Sequence, residues 1–224
     1  LAVENAGEVV LVDCPLAPMP RLSEADVDPL SVDHLVVTHF HPDHAAGVPV
    51  LLMNIWLMGR QEPITIHGLD DCVSRLQQMM ELYRWRTWPD CYPVEYHVLD
   101  GCPSEQVLKI ENLEIFSSPV KHIIPAVGLL FRSMESRKAV VYSCDTAPSK
   151  GVVALARNAE VLIHEANGRY PGHSSAEQAG EVASEAAVEK LILVHYPSTI
   201  TEEELRKGAA GTFSGEVHVA RDFD

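Results

Sequence analysis

Basic residues are scarce in this chain. Seventeen Lys and Arg stand against 32 Asp and Glu, a net charge of −15. A surface that acidic excludes attraction to nucleic acid or anionic membrane over its whole area, so a polyanionic substrate would need a local basic patch or bound metal ions. Cysteine is sparse as well: the five residues, Cys14, Cys72, Cys91, Cys102 and Cys144, are odd in number and lack C-x-x-C spacing. That argues against a disulfide framework and for buried thiols in a reducing compartment, the cytoplasm. No apolar run reaches membrane-spanning length. The longest, around Val48 to Met58, is interrupted by Pro49 and Asn54 and followed by Gly59, and it is expected to be a buried helix. Leu1 to Val12 carries Glu4 and Glu8 and no basic start, so no signal peptide is visible. The chain opens inside a strand-like run without Met, which leads us to expect residues before Leu1. Internal repeats, low-complexity tracts and linkers are also lacking, so a single domain is expected over residues 1–224.

What is present is a globular composition, 46% hydrophobic and 22% charged over 224 residues, enough for one large core. Leu1 to Val12 reads as a hairpin ending in a polar turn, and Pro15 to Pro20 as loop. Ser23 to Asp26 reads as a short helical turn, and Asp33 to Val37 as a strand. Gly47 to Arg60 is apolar almost all round, the pattern of a buried helix. Ile64 to His67 is a strand. Asp70 starts a helix to Arg84, with Val73, Leu76, Met80 and Tyr83 on one face. The basic, aromatic run Arg84-Trp85-Arg86-Thr87-Trp88 suits either an anion or stacked base, or amphipathic packing. Val94–Leu99, Val107–Ile110 and Leu113–Ser117 read as an antiparallel meander, followed by strands at Val127–Ser133 and Lys138–Ser143. Ala147–Arg157 is helical and Glu160–Ile163 is a strand. A capping box at Ser174 to Glu177 opens an alanine-rich helix to about Lys190. Leu191–Val194 is a buried strand. Thr201 to Glu204 caps a short helix stopped by Gly208, and Gly215–Ala220 is the last strand. The pattern suits two packed sheets with helices outside.

The densest chemistry lies in Thr38-His39-Phe40-His41-Pro42-Asp43-His44, on the loop leaving the strand that ends at Val37. Open α/β folds bind ligands at such strand ends. His39 and His41, two apart in an extended loop, point the same way. Asp43 and His44 follow where the chain turns. Neutral imidazoles and a carboxylate are what Zn²⁺ takes when no thiolate is offered; the bland alternative is three solvated loop histidines. Other ionisable residues also sit where apolar strands run out: His122, Asp145, His164 with Glu165, and His195. One strand-end histidine is usually structural. A site assembled from several strand tips needs this recurrence.

These residues resemble the metallo-β-lactamase-fold hydrolases, and within them the ribonuclease Z group. The likeness rests on Thr38 to His44 with Gly47, on His122, on Cys144-Asp145-Thr146-Ala147, and on Ile163-His164-Glu165-Ala166. It extends through Gly172-His173-Ser174-Ser175 with Gln178-Ala179 to Leu193-Val194-His195-Tyr196. The resemblance implies an α/β fold, an αββα four-layer sandwich, holding two Zn²⁺, with Mn²⁺ as a substitute. One ion takes His39, His41 and His122; the other takes Asp43, His44 and His195; Asp145 bridges them. It implies hydrolysis of a phosphodiester by a metal-bound hydroxide, with Asp43 orienting that nucleophile and His173, backed by Glu165, as proton donor to the leaving oxygen. The substrate would be RNA 3′ ends or a small or cyclic phosphodiester, and the chain a homodimer off the membrane. His164 packs or supports a ligand, and His34, His67, His97 and His218 are structural or solvated.

Three departures from the family bear on substrate. The tRNA-gripping arm lies between the positions matching His122 and Asp145, and only 22 residues fill that interval here. The family's opening strand and its Gly- and Pro-containing loop would precede Leu1. Asn167 stands where the family usually has Thr. Competing readings remain: a lactonase, thioesterase or β-lactamase on the same scaffold, which needs no Glu165–His173 pair, and a non-catalytic metal-binding protein. A flavodiiron oxidoreductase resembles H-x-E-x-D-H, and His41 stands against it.

Overall fold

The computed structural model describes every residue except Ala6 and Asp224. The chain divides into two compact units, Leu1–Asp100 together with Phe223, and Gly101–Asp222.

The first unit is built on a five-stranded sheet in the order β1-β2-β3-β4-β5, with β1 Ala2–Asn5, β2 Glu8–Val12, β3 Val32–Val36, β4 Ile64–Leu69 and β5 Val94–Leu99. Only β1 and β2 are antiparallel; β2 to β5 run parallel. Four helices accompany them: α1 Pro18–Glu24, α2 Pro42–Ala45, α3 Val48–Leu57 and α4 Asp70–Leu82. Parallel strands need crossovers, and the connections holding α1, α3 and α4 provide them. Val9, Leu11, Leu35, Ile64 and Ile66 pack with Leu51, Leu52, Ile55, Leu76 and Met80 in one core.

Three expectations are corrected here. Helix α1 begins at Pro18, inside the segment read as loop; proline at the first helical position loses no hydrogen bond, so it opens the helix rather than breaking it. Val94–Leu99 is not part of a meander. It pairs parallel to β4 from Ile64↔Val94 to Leu69↔Leu99, because α4 carries the chain back before it extends again. And α3 is buried on one side only: Leu51, Leu52 and Ile55 are inside, while Val50, Met53 and Leu57 are exposed, Leu57 by 66%.

The second unit has a seven-stranded sheet, β12-β11-β10-β9-β8-β7-β6. Its strands are β6 Glu105–Ile110, β7 Leu113–Pro119, β8 Val127–Ser133, β9 Ala139–Tyr142, β10 Val161–Glu165, β11 Lys190–Val194 and β12 Glu216–Val219. β6 to β9 form an antiparallel meander, which keeps the expected strands at 107–110 and 113–117 and adds β8 and β9, and β9 to β12 are parallel. Helices α5 Lys150–Ala156, α6 Ala176–Ala186 and α7 Glu202–Ala210 make the crossovers, and Val152, Leu155, Val182, Ala183 and Leu205 pack with Leu162, Leu191 and Leu193. Both caps are reciprocal boxes. That of α6 is Ser175 with Gln178, one residue later than the sequence suggested, and that of α7 is Thr201 with Glu204. Helix α7 runs through Gly208 to Ala210.

Because β7 and β9 both run antiparallel to β8, their carboxyl ends share one edge with those of β10 and β11. His122, Asp145, Glu165 and His195 are therefore delivered to that edge.

Candidate metal-binding residues

In the first unit, β2 and β3 lie side by side and parallel, so their carboxyl ends deliver Asp13 and Thr38–His44 together. Asp13 organises the cluster. It takes a left-handed conformation, φ 58°, which turns its carboxylate back over the end of β3. Its Oδ1 accepts from Thr38 N at 2.8 Å and Thr38 Oγ1 at 2.9 Å. Its Oδ2 holds His44 Nδ1 at 2.8 Å. Thr38 Oγ1 also lies 3.1 Å from His39 Nδ1. With its one proton given to Asp13, that oxygen accepts from the imidazole. Both histidines are thus oriented through Nδ1, which fixes the tautomer that presents Nε2 as ligand. His39 Nε2 and His41 Nδ1 approach to 3.0 Å, near the roughly 3.3 Å kept by two nitrogens each about 2.0–2.1 Å from a tetrahedral Zn²⁺. Asp43 is exposed, with Oδ2 3.6 Å from His44 Nε2. The donor set and its supports fit a divalent metal.

Sequence reasoning missed Asp13. A lone aspartate at a hairpin end has no spacing pattern to mark it; the only available signal was its place at the tip of an apolar strand.

In the second unit, His122 Nδ1 is 2.8 Å from the carbonyl oxygen of Gly172, so Nε2 is again the nitrogen left to ligate. Gly172 has φ 80°, and a Cβ there would come within 2.8 Å of His122 Nδ1, so only glycine allows this approach. Asp145 follows Cys144 at φ 58°, and His195 itself has φ 48°: two strand tips turned by left-handed residues. His195 Nδ1 lies 3.2 Å from Asp145 Oδ1. Asp145 is buried.

Glu165, fully buried, is the hub of this edge. Its carboxylate accepts from the backbone N–H of Thr146, Asn167 and Ser174 and lies 3.0 Å from His173 Nδ1. Burial pushes its pKa up to about 7, against the three backbone hydrogen bonds, with Asp145 adding to the rise. His173 Nδ1 is 4.0 Å from Asp145 Oδ2. Ligand atoms of His122, Asp145 and His173 all lie within 4.8 Å of one another, as do those of Glu165, His173 and His195. His173 is therefore central among the second unit's candidates.

His164, one residue before Glu165, faces no ligand. It is fully buried, its Nδ1 is 2.8 Å from the Glu165 carbonyl oxygen, its Nε2 has no partner among the described residues, and burial lowers its pKa to about 4. His34, His67 and His97, expected to be structural or solvated, form a row across three parallel strands, with His67 3.2 Å from His34 and 3.0 Å from His97.

A family model described as "Beta-lactamase superfamily domain" matches residues 9–196. Among curated proteins, the ribonuclease Z of Thermococcus kodakarensis is 26% identical over 280 aligned residues, covering all of this chain and 87% of that protein. That of Pyrococcus abyssi is 24% identical, covering all of this chain and 88% of its own length. Among solved structures, the metallo-β-lactamase fold protein YhfI of Bacillus subtilis matches with TM-score 0.81 at 24% identity, over 99% of this chain and 88% of that one. The short form of human tRNase Z matches with TM-score 0.78 at 23% identity, over 100% and 89%. These structures share the fold, which bears out the expected α/β class, the αββα sandwich of metallo-β-lactamase type. The strand-end histidines and carboxylates and the family match over most of the length agree: the chain belongs to the beta-lactamase superfamily, and it is similar to relatives named ribonuclease Z.

Proposed function

We propose that the protein is a metal-dependent hydrolase of ribonuclease Z type that cleaves a phosphodiester, with two Zn²⁺, or Mn²⁺ in their place, held by His39, His41, Asp43, His44, His122, Asp145 and His195. This reading keeps residues 1–224 as one functional domain. It is supported by relatives named ribonuclease Z and by histidines whose Nδ1 is already committed to Asp13, Thr38 or Gly172. Bound there, the metals would polarise the phosphoryl oxygen and lower the pKa of an attacking water.

The observation that favours a phosphodiester over a lactone, thioester or β-lactam is the 3.0 Å contact between Glu165 and His173. An alkoxide leaving from phosphorus needs a proton. Glu165 is buried away from any substrate and acts by fixing His173: it keeps the proton on Nδ1 or, with His173 charged, stabilises the imidazolium, whose Nε2 proton goes to the leaving oxygen. Asp43, exposed beside His44, would orient or accept the proton of the nucleophile.

The substrate is RNA or a small phosphodiester. A small or cyclic one is favoured by the interval from His122 to Asp145, which is filled by β8, a turn at residues 134–138 and β9, with no projecting arm. Among the described residues no helix is long and apolar enough to cross a membrane. The free thiols of all five cysteines support a cytoplasmic setting, and the apolar stripe Val50, Met53, Leu57 on α3 supports a homodimer. The reading is tested by hydrolysis of bis-p-nitrophenyl phosphate with Zn²⁺- or Mn²⁺-loaded protein. Turnover that disappears with chelator and in Asp145→Ala is expected; metal-loaded protein that turns over no phosphodiester would overturn it.

A further inference from the structure

The row of histidines in the first unit has a use beyond packing. His34, His67 and His97 stand on β3, β4 and β5, on one face of the sheet. Its other face carries Leu35, Ile66 and Tyr96, which join Leu51 and Leu76 in the core. His67 and His97 are register partners across the parallel pair β4–β5, and β5 is an edge strand. Adjacent strands lie about 4.8 Å apart, a gap that two imidazoles close when both turn to one point. Here the two Nδ1 atoms approach to 3.0 Å, with the rings at 90° to each other. Two nitrogens each about 2.0–2.1 Å from one ion stand roughly 2.9 Å apart in a square arrangement and roughly 3.3 Å apart in a tetrahedral one. The observed spacing is that of two ligands to a shared ion.

His34 completes the arrangement. Its Nδ1 lies 3.2 Å from His67 Nε2. A neutral imidazole has one N–H; with that proton on Nε2 and donated to His34, His67 turns the lone pair of Nδ1 toward His97. His67 is 4% exposed, and burial, with His34 and His97 adding to it, lowers its pKa to about 3. It therefore stays neutral at ordinary pH, the form a metal takes. His97 is exposed. In the metal-free chain its Nδ1–H can donate to His67; with the proton on Nε2 instead, both lone pairs face one point, open to solvent along the sheet edge. Water fills the other positions of an ion held there. Two imidazoles with water fall short of the four protein ligands of a structural Zn²⁺ site. They suit the ions that bind nitrogen most tightly and prefer tetragonal geometry, Cu²⁺ above all.

We propose that His67 and His97 bind one further divalent ion of Cu²⁺ or Ni²⁺ type through their Nδ1 atoms, with His34 as the positioning residue that holds His67 in the ligating tautomer. The ion ties edge strand β5 to β4. His67 O accepts from Val37 N at 2.9 Å, so the tie reaches the strand that leads into Thr38–His44. The site shares no residue with the candidate ligands of the hydrolytic centre, and it stands or falls independently of the phosphodiesterase reading.

The test is a Cu²⁺ titration of the Zn²⁺-loaded full chain, followed by electron paramagnetic resonance, beside His97→Gln and His34→Gln. Cu²⁺ that displaces Zn²⁺ at the other histidines appears in all three proteins, so the difference between parent and variant isolates the row. The parent is expected to take up one equivalent more than His97→Gln, with nitrogen splittings from two imidazoles in the difference spectrum. Cu²⁺ should also raise the Tm of the parent more than that of His97→Gln. His34→Gln should give the same spectrum with affinity about 10- to 100-fold weaker. Equal Cu²⁺ uptake by parent and His97→Gln overturns the proposal and leaves the row as a hydrogen-bonded chain; so does a difference spectrum with one nitrogen. A His34→Gln chain that binds as tightly as the parent overturns the role given to His34.

Discussion

At the scale of single residues, the supports of the histidines matter as much as the histidines. Asp13 holds His44 directly and His39 through Thr38. Asp13→Asn keeps the shape and loses the charge, so it should weaken metal affinity by about 10- to 100-fold with the fold intact. Competition against a chromophoric chelator, with circular dichroism as control, measures this. On the proposed reading His173 gives its proton to the leaving oxygen, so His173→Ala should lower kcat by about 10²- to 10⁴-fold while metal content stays at the parental level; an equal loss of metal would make it a ligand instead. His164 sets an acid limit on stability. Its folded pKa is lowered to about 4 by burial, from 6.5 in the open chain. As pH falls below about 6.5 the unfolded chain takes up a proton there that the folded chain refuses until about pH 4, so acid favours unfolding across that window, by something of order 3 kcal/mol at its lower end. His164→Asn keeps a donor for the Glu165 carbonyl but cannot titrate, and its urea-unfolding free energy should change less between pH 7 and pH 5 than the parent's.

At the scale of elements, caps and exposed faces carry the testable content. Thr201 caps α7 through Glu204 N, and Thr201→Ala should cost about 1 kcal/mol in chemical unfolding. Helix α3 turns Val50, Met53 and Leu57 outward. Introducing Leu57→Glu should shift a homodimer to monomer in light scattering, and a parent that is monomeric at all concentrations would refute that use of the stripe. The elements also show what can be read from sequence. The helices α4, α6 and α7 were legible because their apolar spacing and caps are local signals. The sheet to which β5 belongs was not: an alternating strand looks the same beside a parallel or an antiparallel neighbour. α1 was missed because Pro18 and Pro20 look like breakers until one of them is known to occupy the first turn, and α3 because an apolar helix does not announce which of its faces is left uncovered.

For the whole molecule, the candidate ligands were legible because they fall where apolar strands end, and four of them crowd into Thr38–His44. Their supports were not, since Asp13 and Gly172 act through a backbone turn and a carbonyl oxygen that carry no residue-type signature. The same holds for the left-handed residues Asp13, Cys144 and His195 that turn the strand tips. The central claim is that this acidic chain becomes a phosphodiesterase by binding two metal ions. The most direct measurement is a Zn²⁺ titration of metal-free protein, with bis-p-nitrophenyl phosphate turnover followed at each addition. The account predicts activity that climbs to a plateau at two equivalents per chain; tight uptake of metal with no turnover at any ratio would contradict it.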